Sequence, residues 1–143
     1  MVDFPEALCD FGSSVNIMPR VVYEKFFTYP LLETTMCLQL ADQTLSFPNG
    51  ILKILYVRVG TLYNPADFVV IETGIDGRAP VILGRPFLNT LGAVIYASAA
   101  KISFYIRGRK ETFFFKNKTA QIPEQSRHEP RKRINRRNRN KQV

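Results

Sequence analysis

Apolar positions in this chain fall in short blocks that turn-forming residues interrupt, and most blocks have the length of strands. Ala7 to Cys9 fits the end of a buried strand, Gly12, Ser13 and Ser14 break it, and Val15 to Met18 resumes an extended path. Pro19 is placed to open a short helix over 20–27, with Val21, Val22, Phe26 and Phe27 as its apolar positions. The Tyr29-Pro30 pair argues against continuing that helix. Met36, Leu38 and Leu40 alternate up to Ala41-Asp42-Gln43-Thr44, and Leu45 and Phe47 alternate away, which predicts a hairpin over 36–47. Asn49-Gly50 marks a second turn. Strands are expected over 51–59 and 67–71, a loop over 73–80, and a short strand over 81–83. Residues 85–91 fit one short helix closed by Gly92. Strands over 94–96, 101–106 and 112–115 complete the pattern. Many short strands, few helical residues and no βαβ spacing predict an all-β, barrel-like fold.

Charge divides the chain. Residues 1–100 hold six Lys or Arg against nine Asp or Glu, whereas residues 101–143 hold fourteen against three. The overall charge of +8 therefore belongs to the C-terminal part. Residues 116–143 carry almost no large apolar side chains except Ile122, Ile134 and Val143, too few to offset the entropy of ordering. The expected organisation is a folded domain over 1–115 and a basic, unstructured tail or linker over 116–143. Arg131, Lys132, Arg133, Arg136, Arg137 and Arg139 form the densest run, read as phosphate contacts to RNA or DNA, as a nuclear-import patch, or as a solvated linker. The tail has no aromatic residue to stack on bases, so any such contact is weak and independent of sequence. His128 offers no site chemistry of its own and is expected in solvent.

Cys9 and Cys37 are too few for a disulfide scaffold and lack zinc-site spacing, so both read as structural. No apolar stretch has the length of a membrane span, and Asp3 and Glu6 do not fit a secretion signal. An intracellular setting, cytoplasm or nucleus, is the expectation, with no membrane association.

The candidate chemistry centres on Asp10, in ALCDFGSSVNIMP. A carboxylate at the end of a buried strand must be hydrogen-bonded or paired. Gly12 permits a tight turn close to that carboxylate, and Ser13 adds a hydroxyl. These features alone leave two readings open: a reactive carboxylate, or an aspartate capping the turn before the helix at Pro19.

The run ALCDFGSSVNIMP resembles the active-site loop of retropepsin-like aspartic proteases, in the form carried by Gag-Pol polyproteins of plant long-terminal-repeat retrotransposons. LQLADQTLSFPNG resembles the family's flap region, PADFVVI the strand crossing the domain, and PVILGRPFLNTLGAVIY the second loop, helix and returning strand. The likeness covers about residues 7–106. It places Asp10 at the catalytic position, with Phe11, Gly12 and Ser13 in the active-site loop. Phe11 stands where retroviral members have Thr or Ser, and plant elements also carry a large apolar residue there. Ala41, Asp42 and Gln43 fall at the flap tip, although Asp42 also fits an ordinary hairpin turn. Ile82, Leu83 and Gly84 match the hydrophobic-hydrophobic-glycine segment supporting the loop. Arg85 resembles an arginine that in retroviral members often pairs with an acid four residues beyond the catalytic aspartate. That position here is Ser14, so Arg85 needs another partner or points to solvent.

The resemblance implies a closed barrel with a flap hairpin and one or two short helices. It further implies an aspartic-type endopeptidase acting on a retrotransposon polyprotein, without metal or organic cofactor. With one such motif per chain, a second copy of the chain supplies the other carboxylate. Nine residues precede Asp10, fewer than the family usually has, which leaves two expectations: a fragment of an element truncated at its N-terminus, or a degenerate gene. The alternatives are an inactive remnant that binds peptide or protein, or nucleic-acid association through the tail.

Overall fold

Gly60 interrupts a long β-prone stretch at φ 62°, a backbone conformation that favours glycine, and folds it into the longest hairpin among the described residues. In the computed structural model, which describes residues 7–40, 42–73, 80–115 and 141–142, this hairpin joins β5 (Gly50–Val59) to β6 (Leu62–Ile71). The other elements are β1 (Ala7–Cys9), β2 (Ile17–Pro19), α1 (Arg20–Phe26), β3 (Leu38–Gln39), β4 (Leu45–Ser46), β7 (Val81–Leu83), α2 (Arg85–Thr90), β8 (Val94–Tyr96), β9 (Lys101–Ile106), β10 (Arg109–Phe114) and β11 (Lys141–Gln142).

Six strands form one sheet in the order β11-β1-β7-β2-β6-β5. β7 runs parallel to β1 and antiparallel to β2, and β2 runs parallel to β6. Because β7 lies between β1 and β2, the connection over 10–16 must pass across the end of β7. This crossing is the feature of the fold that shapes the candidate site. A second sheet has the order β10-β9-β8, and β3 and β4 form a separate two-stranded hairpin. The described structure is thus mostly β with two short helices, and its sheets do not close into a barrel.

Strand periodicity explains the core. Phe68 and Val70 of β6 point to one side of the six-stranded sheet and join Met18, Leu83 and the α2 residues Phe87 and Leu88 in the main cluster. Ile102, Phe104 and Phe113 of the second sheet complete that cluster. Val69 and Ile71 point to the other side and pack with Ile17, Met36, Leu38 and Ile82. The centre of the sheet is therefore buried on both faces, which is why its strands read as unbroken apolar runs.

Glu111 of β10 ties the two sheets at the β5–β6 turn, accepting from the Thr61 N–H at 2.9 Å and from its hydroxyl at 2.5 Å. A bulge between Leu52 and Leu55 places Ile54 at φ 54°. Asp67 holds it, accepting from the Ile54 N–H at 2.9 Å and from Lys53 Nζ at 2.8 Å. Partial burial opposes ionisation of Asp67, but the Lys53 ammonium and the Ile54 N–H outweigh it and keep its carboxyl below the ordinary range.

The expected elements are present with shifted ends. β6 begins at Leu62, five residues before the predicted strand, because β5 supplies a partner for the turn-like segment Tyr63-Asn64-Pro65. Pro65 lies opposite Tyr56, and β6 gains its second neighbour only from Val69 onward, so the missing N–H disrupts no central ladder. α1 contributes no buried residue, and the buried ring is Phe27, just after it. Gly92 follows the Leu91 cap of α2 at φ 54°, as its glycine suggested. Most of the expected loop over 73–80 lies outside the described residues, as does the tail over 116–143 apart from Lys141–Gln142, which pair with β1 as a parallel strand.

Candidate active-site loop

Asp10 directly follows β1, and its backbone N–H donates to the Leu83 carbonyl at 3.0 Å, extending the β1–β7 pairing by one residue. The chain then turns back on itself. The Gly12 N–H donates to Asp10 Oδ1 at 2.7 Å, and the Ser13 N–H to the Asp10 carbonyl at 3.2 Å. The Asp10 side chain is half-buried, bound on one oxygen by a main-chain donor, while Phe11 and Gly12 are exposed. A Cβ at Gly12 would lie 3.0 Å from Asp10 Oδ1, so any side chain there presses on the carboxylate. Ser13 turns its hydroxyl inward, donating to the Val15 carbonyl at 2.6 Å. Its observed role is to brace the loop.

Ile82, Leu83 and Gly84 lie beside this loop. Ile82 pairs with both Leu8 and Ile17, and Leu83 with Cys9. At Gly84 a Cβ would come within 2.2 Å of the Val15 carbonyl oxygen and 2.9 Å of that of Ser13, so only glycine fits between the two segments. Arg85 finds its partner in the loop backbone: its N–H donates to the Ser13 carbonyl at 3.0 Å and its guanidinium to the Phe11 carbonyl at 3.2 Å. The arginine thus fastens the loop without an acidic residue at position 14.

Sequence reasoning missed Asn16. It is 3% exposed, and its amide oxygen accepts from the Gly84 N–H at 2.9 Å while its amide nitrogen donates to the Asp67 carbonyl at 3.1 Å. Its own carbonyl accepts from the Val69 N–H at 2.9 Å. One side chain therefore links the loop, the start of α2 and β6. The available signal was an amide in the otherwise apolar run from Val15 to Met18, since a buried polar side chain there must have partners.

The hairpin of β3 and β4 pairs Leu38 with Ser46 and Gln39 with Leu45. Asp42 Oδ1 accepts from the Thr44 N–H at 3.0 Å and from its hydroxyl at 2.6 Å, and Gln43 sits at φ 69°. Hydrogen bonds from Thr44 hold the Asp42 carboxyl below its ordinary range. The turn role weighed for Asp42 is the one observed, and the hydrogen bonds of Asp42 and Gln43 stay within the hairpin. Ala41 lies outside the described residues, as do Arg131, Lys132, Arg133, Arg136, Arg137, Arg139 and His128. A cleft of about 580 Å³ runs beside the loop; Val15 and Asn16 line it with Met36, Ile51 and Pro86, and Asp10 does not.

Cys9 is buried, Cys37 is exposed, and neither forms a disulfide. Among the described residues no group of three or more His, Cys, Asp or Glu is placed to hold a metal ion, and no helix is long and apolar enough to cross a membrane. Compared with known proteins, the chain matches no family model and no curated sequence.

Proposed function

We propose that this chain is one half of a retropepsin-like aspartic endopeptidase, and that two copies assemble to bring their Asp10 carboxylates together. The observation that carries the reading is the brace around Asp10. A partly solvent-facing carboxylate sits in a glycine turn fixed by Leu83, Gly84, Arg85 and Asn16, with one oxygen already bound to the Gly12 N–H. A turn cap needs only the local bond; it does not need a buried amide and an arginine holding the loop from behind. Phe11, the next residue in the loop and 36% exposed, offers apolar surface for a second copy.

In the dimer, two close carboxylates share one proton because both cannot ionise cheaply, and they titrate as a pair. The ionised carboxylate takes a proton from a bridging water as that water attacks the peptide carbonyl. The protonated one polarises the carbonyl and later protonates the leaving amine. The substrate is an extended polypeptide, here a retrotransposon polyprotein, lying beneath the hairpins of β3 and β4 with side chains alternating between pockets. In this reading the two chains complete the closed barrel, and no cofactor takes part.

The test is cleavage of a peptide library at roughly pH 4–6, the range in which an aspartate dyad holds one proton. Cleavage that disappears in Asp10→Asn supports the reading. A folded dimer that cleaves nothing, or an Asp10→Asn chain that cleaves as well as the parent, overturns it and leaves a peptide-binding remnant.

A further inference from the structure

The outer face of the β8–β9–β10 sheet carries chemistry that proteolysis does not use. Register places Tyr96 beside Lys101 and Phe114, Val94 beside Ser103 and Thr112, and Tyr105 beside Lys110. Strand alternation sends Ile102 and Phe104 into the core, so these neighbours share the opposite face. Tyr96, Tyr105, Phe114 and Val94 are 36%, 38%, 41% and 42% exposed. Two aromatic rings here carry ammonium groups: Lys101 Nζ lies 5.1 Å from the Tyr96 ring centre and Lys110 Nζ 5.5 Å from that of Tyr105. The two tyrosine hydroxyls meet at 3.3 Å, so the two side chains reach toward each other along the face and touch at their tips.

The charge here has one sign. The cations on this face are Lys101 and Lys110; of the other charged residues from Val94 to Phe114, Arg107 lies in the β9–β10 turn, and Arg109 and Glu111 alternate to the side of Phe113, where Glu111 is bound to Thr61. The sequence that follows, 116–143, adds ten Lys or Arg against two Glu. Ser103 at the centre of this face is fully buried, so the exposed chemistry is the aromatic side chains and the cations beside them. These match the two demands of single-stranded nucleic acid, stacking for bases and charge for phosphates. A duplex buries the base faces that the rings would stack on.

We propose that this face binds single-stranded RNA or DNA, with bases stacked on Tyr96 and Tyr105 and phosphates held by Lys101 and Lys110. Each lysine moves from the ring to a phosphate as a base takes its place, so the rings are freed and the charge is used in one step. The basic sequence after β10 adds affinity that is independent of base identity. The site is distinct from Asp10, and it stands whether or not the chain is a protease.

The experiment titrates the full chain into fluorescent single-stranded U12 and dT12 and into a 12-base-pair duplex. The single strands bind more tightly than the duplex; comparing U12 with dT12 shows whether the ribose hydroxyl contributes. Tyr96→Ala/Tyr105→Ala weakens single-strand binding by about tenfold or more with its salt dependence unchanged. Lys101→Gln/Lys110→Gln lowers the slope of log affinity against log salt by about 1.4. Ultraviolet crosslinking of the unaltered chain to U12 keeps the proposal testable if a variant does not fold, and adducts within 94–114 support it. Adducts confined to 116–143, equal binding of duplex, or wild-type binding by a folded tyrosine variant overturns it. So does a second copy of the chain shielding Tyr96 and Tyr105 from nucleic acid.

Discussion

The loop at Asp10 and the hairpin at Asp42 both turn on an aspartate whose Oδ1 accepts the N–H two residues ahead, from Gly12 in one and Thr44 in the other. Around Asp10 the turn is held from behind by β7, α2 and β6, through Gly84, Arg85 and Asn16. Around Asp42 the bonds are internal, the two strands have two residues each, and Leu45 and Phe47 stand 63% and 74% exposed. The same local device thus serves a fixed position in one region and a weakly anchored one in the other. In the proposed protease, that division gives the carboxylate a fixed place and leaves the hairpin free to move.

The strongest break in this comparison comes at Gly84. Gly84→Ala forces a methyl group into the Val15 carbonyl, which is backbone and cannot step aside. The expected cost is about 3 kcal/mol or more, read as a fall in the thermal midpoint of roughly 10 °C or more. An unchanged midpoint would show that the loop is not held where described. Asn16→Ala comes next. It leaves the buried Gly84 N–H without its partner and should cost about 1–3 kcal/mol, measured by urea unfolding. A loss below about 0.5 kcal/mol would mean that the amide does not brace the loop.

The hairpin should respond least. Asp42→Ala removes both bonds to Thr44, yet the expected change is faster amide exchange at residues 43–45 with the global midpoint unchanged. Large global destabilisation would erase the contrast. Acid sharpens it. The Asp42 carboxyl is depressed when folded, so its contribution is complete above the unfolded value of about 3.9 and is lost as pH falls through the lower folded value. The Thr44 amide shift should therefore titrate with a midpoint below 3.9; a midpoint above that value contradicts the bonding described.

Local pattern revealed the elements that local chemistry determines. Alternation around Asp42 located the hairpin, and Gly92 located the end of α2. The threading of β7 between β1 and β2 was not legible, because it rests on pairings between residues more than sixty positions apart. Asn16 was overlooked for the same reason: its partners, Gly84 and Asp67, lie 68 and 51 positions away. The start of β6 at Leu62 was not legible either, since Tyr63, Asn64 and Pro65 become strand only by pairing with Arg58, Val57 and Tyr56 of β5. The motif at Asp10 was visible from the start. What holds it in place emerged only in three dimensions.

The central claim is that Asp10 forms a shared dyad between two chains. Calorimetric titration with a statine-type peptide, which mimics the tetrahedral transition state, tests it most directly. The account predicts one peptide bound per two chains, with binding lost in Asp10→Asn. One peptide per chain, or undiminished binding by the Asp10→Asn chain, would contradict it.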